Sequence, residues 1–311
     1  MAKPRPPAAA RPVLRRVEAV VNPSAGSSGP NAKAEVEALL AAAGVDGRVT
    51  ATAPRRLEAT LRQAIDRGPD LLVVVAGDGT ARTAASLCGA DGPLVAPLAG
   101  GTMNMLPHAL YGARPWQAAL KEILESGVQA AVSGGEVDGK PFYVAAILGA
   151  PALWAKAREA MREGRLDVAV RRAGTAVRRA FSSQLTYSLD GRPPAEAEAI
   201  TLMCPVCSRA MDNSEAALEA DVLNPAGAAE AFRLGFRTLV SDIAGDWRQD
   251  PAVEVTKFRQ GEAWASGTIP AILDGEPMRL HKRIPIRFVP TAFRALVPRD
   301  APGAELPRAA S

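Results

Sequence analysis

The first part of the chain alternates between short apolar runs and longer amphipathic segments. The apolar runs predict buried strands at 17–21, 48–53, 71–75 and 94–98. The amphipathic segments predict helices over 31–43, from 57 to the glycine at 68, from 80 onward, and from 105 to 126. Strands that alternate with helices of this length are typical of a parallel sheet covered by helices. The pattern therefore predicts an α/β domain over residues 13–130.

A different pattern begins after this domain. Three Asp-Gly dipeptides, typical of β-hairpin turns, stand at residues 138–139, 190–191 and 274–275. Strand-like runs flank them at 142–148, 184–189, 199–203, 269–273 and 284–289. Helical insertions are predicted near 153–180 and 225–243. We predict a second, mainly antiparallel β domain over residues 131–298.

Composition and charge narrow the class of protein. The chain has 311 residues, of which 48% are apolar and 23% charged, and these values are ordinary for a globular protein. The net charge of +4 suits an anionic surface or substrate. No apolar stretch approaches the roughly 20 residues that span a bilayer, and three cysteines without a disulfide framework favour a reducing compartment. Residues 1–12 and 299–311 are predicted to be disordered tails.

Polar, glycine-containing loops follow three of the predicted strands, at residues 22–29, 76–80 and 99–104. Because ligands bind beyond the carboxyl ends of parallel strands, we expect these loops to converge on one site. Gly77 and Gly79 allow close approach to a ligand, and Thr80 can cap a helix whose free N–H groups favour phosphate. Gly-Asp-Gly after a strand is also ordinary turn chemistry, so the nucleotide-site prediction depends on all three loops together.

Four motifs, in this order along the chain, resemble those of the diacylglycerol kinase/sphingosine kinase catalytic family, which includes bacterial soluble lipid kinases. They are Asn22-Pro23-Ser24-Ala25-Gly26, Ala76-Gly77-Asp78-Gly79-Thr80, Pro97 to Asn104 with an extra residue before Gly101-Thr102-Met103-Asn104, and Leu273-Asp274-Gly275-Glu276. The resemblance implies a phosphofructokinase-like α/β nucleotide-binding domain followed by a β-sandwich domain. It also implies phosphorylation of a lipid hydroxyl that depends on ATP and Mg²⁺, with diacylglycerol, ceramide or sphingoid lipids as candidate substrates.

The resemblance also implies roles for individual residues. It assigns cofactor binding to Asn22, Pro23, Ser24, Ala25, Gly26, Thr52, Ala76, Gly77, Asp78, Gly79, Thr80, Gly101, Thr102 and Asn104. Catalytic roles go to Asp78, Asp274 and Glu276, and metal-associated roles to Asp78 and Glu215. Phosphoryl transfer needs positioning, charge neutralisation and a carboxylate that accepts the hydroxyl proton, so these residue types suit the reaction. The division of labour between Asp78 and the Asp274/Glu276 pair stays open.

The chain departs from the family pattern at several acidic positions. Arg82 and Thr83 stand where the family usually has an Asn-Glu pair, and residues 105–108 replace Asp-Phe-Ala-Arg. Ser133 stands at the position of an acidic residue, and Glu215 replaces the aspartate of a metal-associated Asp-Gly-x-Leu motif. These departures thin the acidic network and leave the lipid substrate and the metal geometry open.

Two further segments carry chemistry. Residues 156–179 hold eight basic and three acidic side chains, which suit an amphipathic surface that docks on an anionic membrane, although an ordinary solvated helix fits equally well. The C-x-x-C sequence Cys204-Pro205-Val206-Cys207 has no second pair to complete a metal site, so structural cysteines are favoured.

These observations predict a cytoplasmic lipid kinase, peripherally associated with the inner face of the membrane. We expect a lipid substrate and no nucleic-acid partner, and the sequence leaves the oligomeric state undefined. The alternatives are a small-molecule kinase that resembles NAD kinase, and a nucleotide-binding regulatory protein whose kinase activity has decayed. The retained Asp78, Asp274 and Glu276 favour an enzyme.

Overall fold

A computed structural model describes residues 11–149, 185–208, 210–211, 215–223 and 253–299. The chain divides into two compact units. Unit 1 contains the chain up to Ser133 together with the part from Pro290, and unit 2 is Gly134–Val289. The predicted helical insertions and the basic segment 156–179 lie outside the described residues. In the part of the chain that is described, no helix is both long enough and apolar enough to cross a membrane.

Unit 1 is built on a parallel sheet. Its first strands are β1 (Val17–Val21), β2 (Gly47–Ala51), β3 (Leu71–Ala76) and β4 (Leu94–Ala99), in the spatial order β2-β1-β3-β4. Every residue of β1 and β3 is buried, as expected for strands covered on both faces. Val21 pairs with Val75, so the loops that follow β1 and β3 begin side by side.

Helices follow the strands of this unit as predicted. They are α1 (Ala32–Ala42), α2 (Leu57–Asp66), α3 (Asp78–Cys88), α4 (Met105–Tyr111) and α5 (Trp116–Ser126). The helical sequence predicted from 105 to 126 forms two helices, because Gly112 ends α4 with a φ of 75° and Pro115 precedes the first residue of α5. Glycine takes this left-handed conformation without steric cost, so the sequence breaks the helix there.

Unit 2 is antiparallel, as the sequence predicts. Its strands, of which β5 and β16 extend into unit 1, are β5 (Val128–Val137), β6 (Lys140–Phe142), β7 (Ala145–Gly149), β8 (Leu185–Leu189), β9 (Ala195–Ala197), β10 (Ala199–Met203), β11 (Leu218–Leu223), β12 (Val253–Phe258), β13 (Gln260–Trp264), β14 (Ile269–Leu273), β15 (Glu276–Leu280) and β16 (Arg283–Val297). One sheet has the order β12-β11-β10-β7-β14-β15. A second array pairs β5 with β6, and pairs β16 with β13, β13 with β8 and β8 with β9.

The three Asp-Gly dipeptides all form turns. Asp138, Asp190 and Asp274 have φ values of 54°, 48° and 47°, and the glycine after each also has a positive φ. Two consecutive residues with positive φ define the type I′ turn that suits the twist of a β-hairpin. In two of the hairpins the dipeptide is the whole connection, because Val137 pairs with Lys140 and Leu273 pairs with Glu276.

Two strands, β5 and β16, carry the chain from one unit to the other. The predicted second domain ended at residue 298, whereas the structure returns the chain to unit 1 from Pro290. Within unit 1, Ala295 of β16 pairs in parallel with Val95 of β4, and Tyr111 Oη donates to the Leu296 carbonyl over 3.2 Å. Phe293, Ala295, Leu296 and Val297 are buried. Unit 2 is therefore an insertion within the sequence of unit 1.

Candidate functional site

The three glycine-containing loops of unit 1 lie against one another. Asn22 N donates to the Val75 carbonyl over 2.9 Å, and Ser27 N donates to the Gly100 carbonyl over 2.9 Å. A Cβ placed on Gly101 would lie 2.5 Å from Gly77 Cα, so these two backbones are in direct contact. The predicted convergence of the loops at the carboxyl ends of the strands is confirmed.

The first loop is folded by its own asparagine. Asn22 is buried, its Oδ1 accepts from Ser24 N over 3.1 Å, and its carbonyl accepts from Ala25 N over 3.1 Å. This is the side-chain turn that asparagine commonly makes with the backbone two residues further on. Asn22 therefore shapes residues 22–25. At the next position, a Cβ placed on Gly26 would lie 3.0 Å from Thr102 Oγ1, so the first loop is close to the third.

Two serines join the first loop to the third. Ser27 Oγ donates to the Gly101 carbonyl over 2.6 Å, and Ser28 Oγ donates to the Gly100 carbonyl over 3.2 Å. Ser28 is buried. The sequence predicts no role for either residue, because a buried serine looks the same in sequence as an exposed one in a polar loop. The two consecutive hydroxyls directly after Gly26 are the signal that was available.

Asn104 gives the third loop its shape. The residue has a left-handed backbone, with φ 53° and ψ 41°, and its side chain is buried. Its Oδ1 accepts from Gly101 N over 2.7 Å, and its Nδ2 donates to the Gly101 carbonyl over 3.0 Å. Both ends of the amide therefore hold the loop itself. Asn104 therefore positions Gly101, and its predicted cofactor-binding role stays a prediction.

Asp78 links the central loop to helix α4. It is the first residue of α3, and its Oδ2 accepts from Asn104 N over 2.8 Å. The N–H groups of Met105 and Leu106 also interact with this carboxylate, so Asp78 caps the amino end of α4 from another element. Its second oxygen, Oδ1, is buried and has no hydrogen-bond partner within the described residues. The carboxylate is thus fixed through one oxygen and open through the other.

The environment of Asp78 changes its acidity. Burial raises the pKa of the Asp78 carboxyl above its ordinary value, and the N–H groups at residues 104–106 oppose this shift without cancelling it. A carboxyl with a raised pKa is a stronger proton acceptor than an exposed aspartate. Asp78 is therefore chemically distinct from an aspartate that serves only in a turn.

Thr80 and Thr52 occupy different places beside these loops. The prediction that Thr80 caps α3 is wrong, because the helix begins at Asp78 with Gly77 in the N-cap position, and Thr80 N donates to the Gly77 carbonyl over 3.0 Å. Thr52 N donates to the Val21 carbonyl over 3.0 Å, which places Thr52 where the first loop begins. Its Oγ1 accepts from Thr60 Oγ1 over 3.2 Å.

Asp274 of unit 2 has both carboxylate oxygens engaged. Its Oδ2 accepts from Tyr143 N over 2.8 Å, and its Oδ1 accepts from Val144 N over 2.9 Å and from Ala145 N over 3.1 Å. Asp274 is buried and holds the short connection between β6 and β7. Glu276, the first residue of β15, lies opposite Leu273. The catalytic roles of Asp274 and Glu276 stay predictions.

The other two Asp-Gly turns use their aspartates in the same way. Asp190 Oδ1 accepts from Arg259 N and Gln260 N, each over 3.0 Å. Asp138 Oδ2 accepts from His281 N over 3.2 Å. Each aspartate binds the backbone of a neighbouring connection between strands, so the arrangement at Asp274 is the general one of this unit, extended to three N–H groups.

Asp78 in unit 1 and Glu215 in unit 2, the two predicted metal-associated residues, differ in whether their carboxylates are available to a metal ion. The buried Oδ1 of Asp78, to which no described residue donates a hydrogen bond, fits a cation. Glu215 does not fit, because Lys257 Nζ lies 2.9 Å and 2.8 Å from its two carboxylate oxygens. Across the described ranges, no three His, Cys, Asp or Glu side chains come together as a metal site.

The two cysteines of the C-x-x-C sequence form hydrogen bonds with backbone carbonyls of unit 2. Cys204 Sγ donates to the Phe142 carbonyl over 3.7 Å, and Cys207 Sγ donates to the Val144 carbonyl over 2.8 Å. Burial raises the pKa of the Cys204 thiol well above its ordinary value, which makes this thiol unreactive. The geometry agrees with the structural role favoured from the sequence.

Glycine loops at the strand ends of a parallel α/β sheet are typical of domains that bind phosphate-containing ligands. Residues 16–134 match the family model of the diacylglycerol kinase catalytic domain. The match spans 119 of the 311 residues, and the family resemblance predicted from the motifs is confirmed.

Solved structures show the same fold over most of the chain. Two proteins from Bacillus anthracis strain Sterne, one described as a diacylglycerol kinase and one as a candidate diacylglycerol kinase, share 16% and 18% identity with it. Their TM-scores are 0.65 and 0.67, and each comparison covers 91% of this chain and 97% of the other. No curated protein sequence matches the chain. The phosphofructokinase-like description of unit 1 stays a prediction.

Proposed function

We propose that this protein transfers the γ-phosphoryl group of ATP to a hydroxyl group of a neutral membrane lipid of the diacylglycerol, ceramide or sphingoid type. The observation that carries the proposal is the interlocked set of three glycine loops in a domain of the diacylglycerol kinase catalytic family. The loops lie where a parallel sheet binds its ligands, and they surround the amino end of α3.

The loops have the shape and polarity that a triphosphate needs. At Gly100 a Cβ would lie 2.6 Å from Ala76 N, and at Gly101 it would lie 2.5 Å from Gly77 Cα, so only glycine lets the backbones approach this closely. The N–H groups and the dipole at the amino end of a helix favour an anion, and α3 begins here at Asp78. In this proposal the residues from Asn22 to Gly26, from Ala76 to Thr80, and from Gly101 to Asn104 bind ATP, with Thr52 beside them.

A divalent cation fits at Asp78, where Mg²⁺ would neutralise phosphate charge and so ease the transfer of the phosphoryl group. The protein contributes the rest. The Asn104 amide and the Ser27 and Ser28 hydroxyls hold the loops in place, and the bond from Asn104 N fixes the orientation of the Asp78 carboxylate. We propose that Asp78 is the carboxylate that acts at the transferred group, and that Asp274 acts by positioning residues 143–145.

The lipid substrate requires the protein to work at a membrane. We propose peripheral contact with the inner face of an anionic membrane, with the basic segment 156–179 as the contacting surface. Sedimentation with anionic and neutral lipid vesicles tests this part. Binding to anionic vesicles that falls when arginines of this segment are changed to glutamine is the expected result, and equal binding to both kinds of vesicle would contradict it.

A substrate panel tests the reaction. The protein is incubated with Mg²⁺ and ATP together with diacylglycerol, ceramide, sphingosine or NAD, and the products are identified by mass spectrometry. We expect a phosphorylated lipid and no phosphorylated NAD. Phosphorylated NAD as the only product would contradict the lipid-kinase proposal and favour a small-molecule kinase. Proven ATP binding without any phosphorylated product would favour the regulatory protein.

A further inference from the structure

Two cationic side chains hold the segment that begins at Glu215. Lys257 Nζ bonds both carboxylate oxygens of Glu215, and Arg259 Nε donates to the Ala216 carbonyl over 2.8 Å. Leu218 pairs with Phe258 in the antiparallel ladder of β11 and β12. Lys257 and Arg259 therefore flank this pair, and both reach the residues that lead into β11.

These contacts use the oxygen atoms that a divalent cation would need. Carboxylate and carbonyl oxygens are the ligands that Mg²⁺ and Ca²⁺ prefer in proteins. Here the Glu215 carboxylate and the Ala216 carbonyl already accept N–H groups that carry positive charge. A divalent cation would have to displace the Lys257 ammonium and the Arg259 guanidinium and to approach them against charge repulsion.

The backbone beside Lys257 and Arg259 is also bound to a second part of unit 2, the turn at Asp190. Arg259 N and Gln260 N donate to the Asp190 carboxylate, and the Gln260 carbonyl accepts from Asp190 N over 2.8 Å. The backbone that carries Lys257 and Arg259 is thus bound to the turn after β8. The positive charges are held at set positions beside residues 215–216, as a metal ion in a site would be.

We propose that Lys257 and Arg259 are the resident cations of the segment 215–218, which unit 2 holds in place without a divalent cation. The metal-associated role that the family resemblance implies for Glu215 is replaced by an internal ion pair and a charged hydrogen bond. The inference is independent of the proposed kinase activity, because it concerns contacts within unit 2 alone.

Thermal unfolding of the full chain without nucleotide tests the proposal. The wild type, Lys257→Met, Glu215→Gln and the Lys257→Met/Glu215→Gln double variant are each melted in EDTA and then across a Mg²⁺ titration. We expect wild type and Glu215→Gln to show the same response to Mg²⁺. Lys257→Met removes the charge but keeps the aliphatic stem, so it should melt lower than wild type in EDTA. Mg²⁺ should raise its melting temperature, and this gain should vanish in the double variant.

Lys33→Met is the matched control. Lys33 pairs with Glu37 on α1 at 3.6 Å, so this variant also frees a carboxylate, but on a helix surface, and it should gain no response to Mg²⁺. A wild-type protein that melts lower in EDTA, with this dependence lost in Glu215→Gln, would overturn the proposal, because Glu215 would then bind the metal. A Lys257→Met variant indistinguishable from wild type in EDTA and in Mg²⁺ would also overturn it.

Discussion

Asp78 and Asp274 both stand next to a glycine after a buried apolar strand, yet the protein uses them in different ways. Asp78 binds the amino end of α4 through Oδ2, and its buried Oδ1 has no donor in the described part of the chain. Asp274 accepts three backbone N–H groups through both oxygens. The Asp78 carboxylate has one oxygen without a donor among the described residues, whereas both oxygens of Asp274 stabilise the fold.

The difference comes from the elements that surround each carboxylate. Asp78 begins a helix at the edge of a parallel sheet, where N–H groups converge and burial raises the pKa of its carboxyl. Asp274 lies in a type I′ turn, as do Asp138 and Asp190, and all three bind a neighbouring backbone. A family motif therefore marks the position of a carboxylate, while its free oxygens determine its chemistry.

Asp78→Asn should have the largest effect on activity. Loss of a positioned carboxylate in phosphoryl transfer should reduce kcat by at least about 100-fold, which steady-state kinetics with the preferred lipid would measure. Asp138→Asn is the matched control, since it changes a turn aspartate of unit 2, and its kcat should match that of wild type. Undiminished turnover in Asp78→Asn would remove Asp78 from the mechanism and reverse the comparison.

Gly101→Ala should disturb the loops without touching a carboxylate. The new Cβ would meet Gly77 Cα at 2.5 Å, so the two loops must separate, and misplacement on this scale costs roughly 100-fold in kcat/KM. Titration calorimetry with ATP, alongside kinetics, would measure the loss. Gly267→Ala is the control, because its Cβ would enter open space. Unchanged ATP affinity in Gly101→Ala would show that the loops do not form the nucleotide site.

Asp274→Ala should act on stability. It leaves three backbone N–H groups without their acceptor, two of them in buried residues, which predicts a loss of about 3 kcal/mol in the free energy of unfolding, measured by urea denaturation. Asp274→Asn keeps one oxygen acceptor and should lose less. The comparison would fail if Asp274→Asn unfolded like wild type but lost its turnover, because Asp274 would then act chemically.

The smallest effect is a pH dependence. The raised pKa of Asp78 means that the folded protein binds its proton more tightly than the unfolded chain does. Its contribution to stability is therefore present below the ordinary aspartate pKa of 3.8 and is lost as the pH rises through the raised value. The melting temperature of Asp78→Asn, relative to that of wild type, should therefore increase as the pH rises from 3.8 towards neutrality. A constant difference across this range would contradict the raised pKa.

Local patterns predicted much of the fold. Runs of apolar residues located β1, β3 and β4, and the Asp-Gly dipeptides located three turns. Apolar runs and turn dipeptides each involve only a few adjacent residues, so they report local backbone preferences directly. The convergence of the glycine loops also followed from sequence, because the carboxyl ends of parallel strands share an edge.

The parts that sequence missed depend on contacts between distant residues. The ion pair of Glu215 with Lys257 joins residues 42 positions apart, and no local pattern specifies that register. The return of β16 to unit 1 brings Ala295 beside Val95, and no local pattern specifies a pairing over that separation. The loop-shaping role of Asn104 follows from where its amide points, and the identity of the residue does not reveal that direction.

The late pairing of β16 with β4 has a consequence for biosynthesis. About 200 residues separate Ala295 from Val95, and contacts of such separation form slowly because the intervening chain must first be ordered. While unit 2 is still being translated, β4 can pair with β3 but its other side lacks β16, and an open strand edge can pair with other chains. A ribosome that stalls within unit 2 would release a sheet with its glycine loops present and one side open. Unit 1 therefore gains β16 only after the whole of unit 2 has been synthesised.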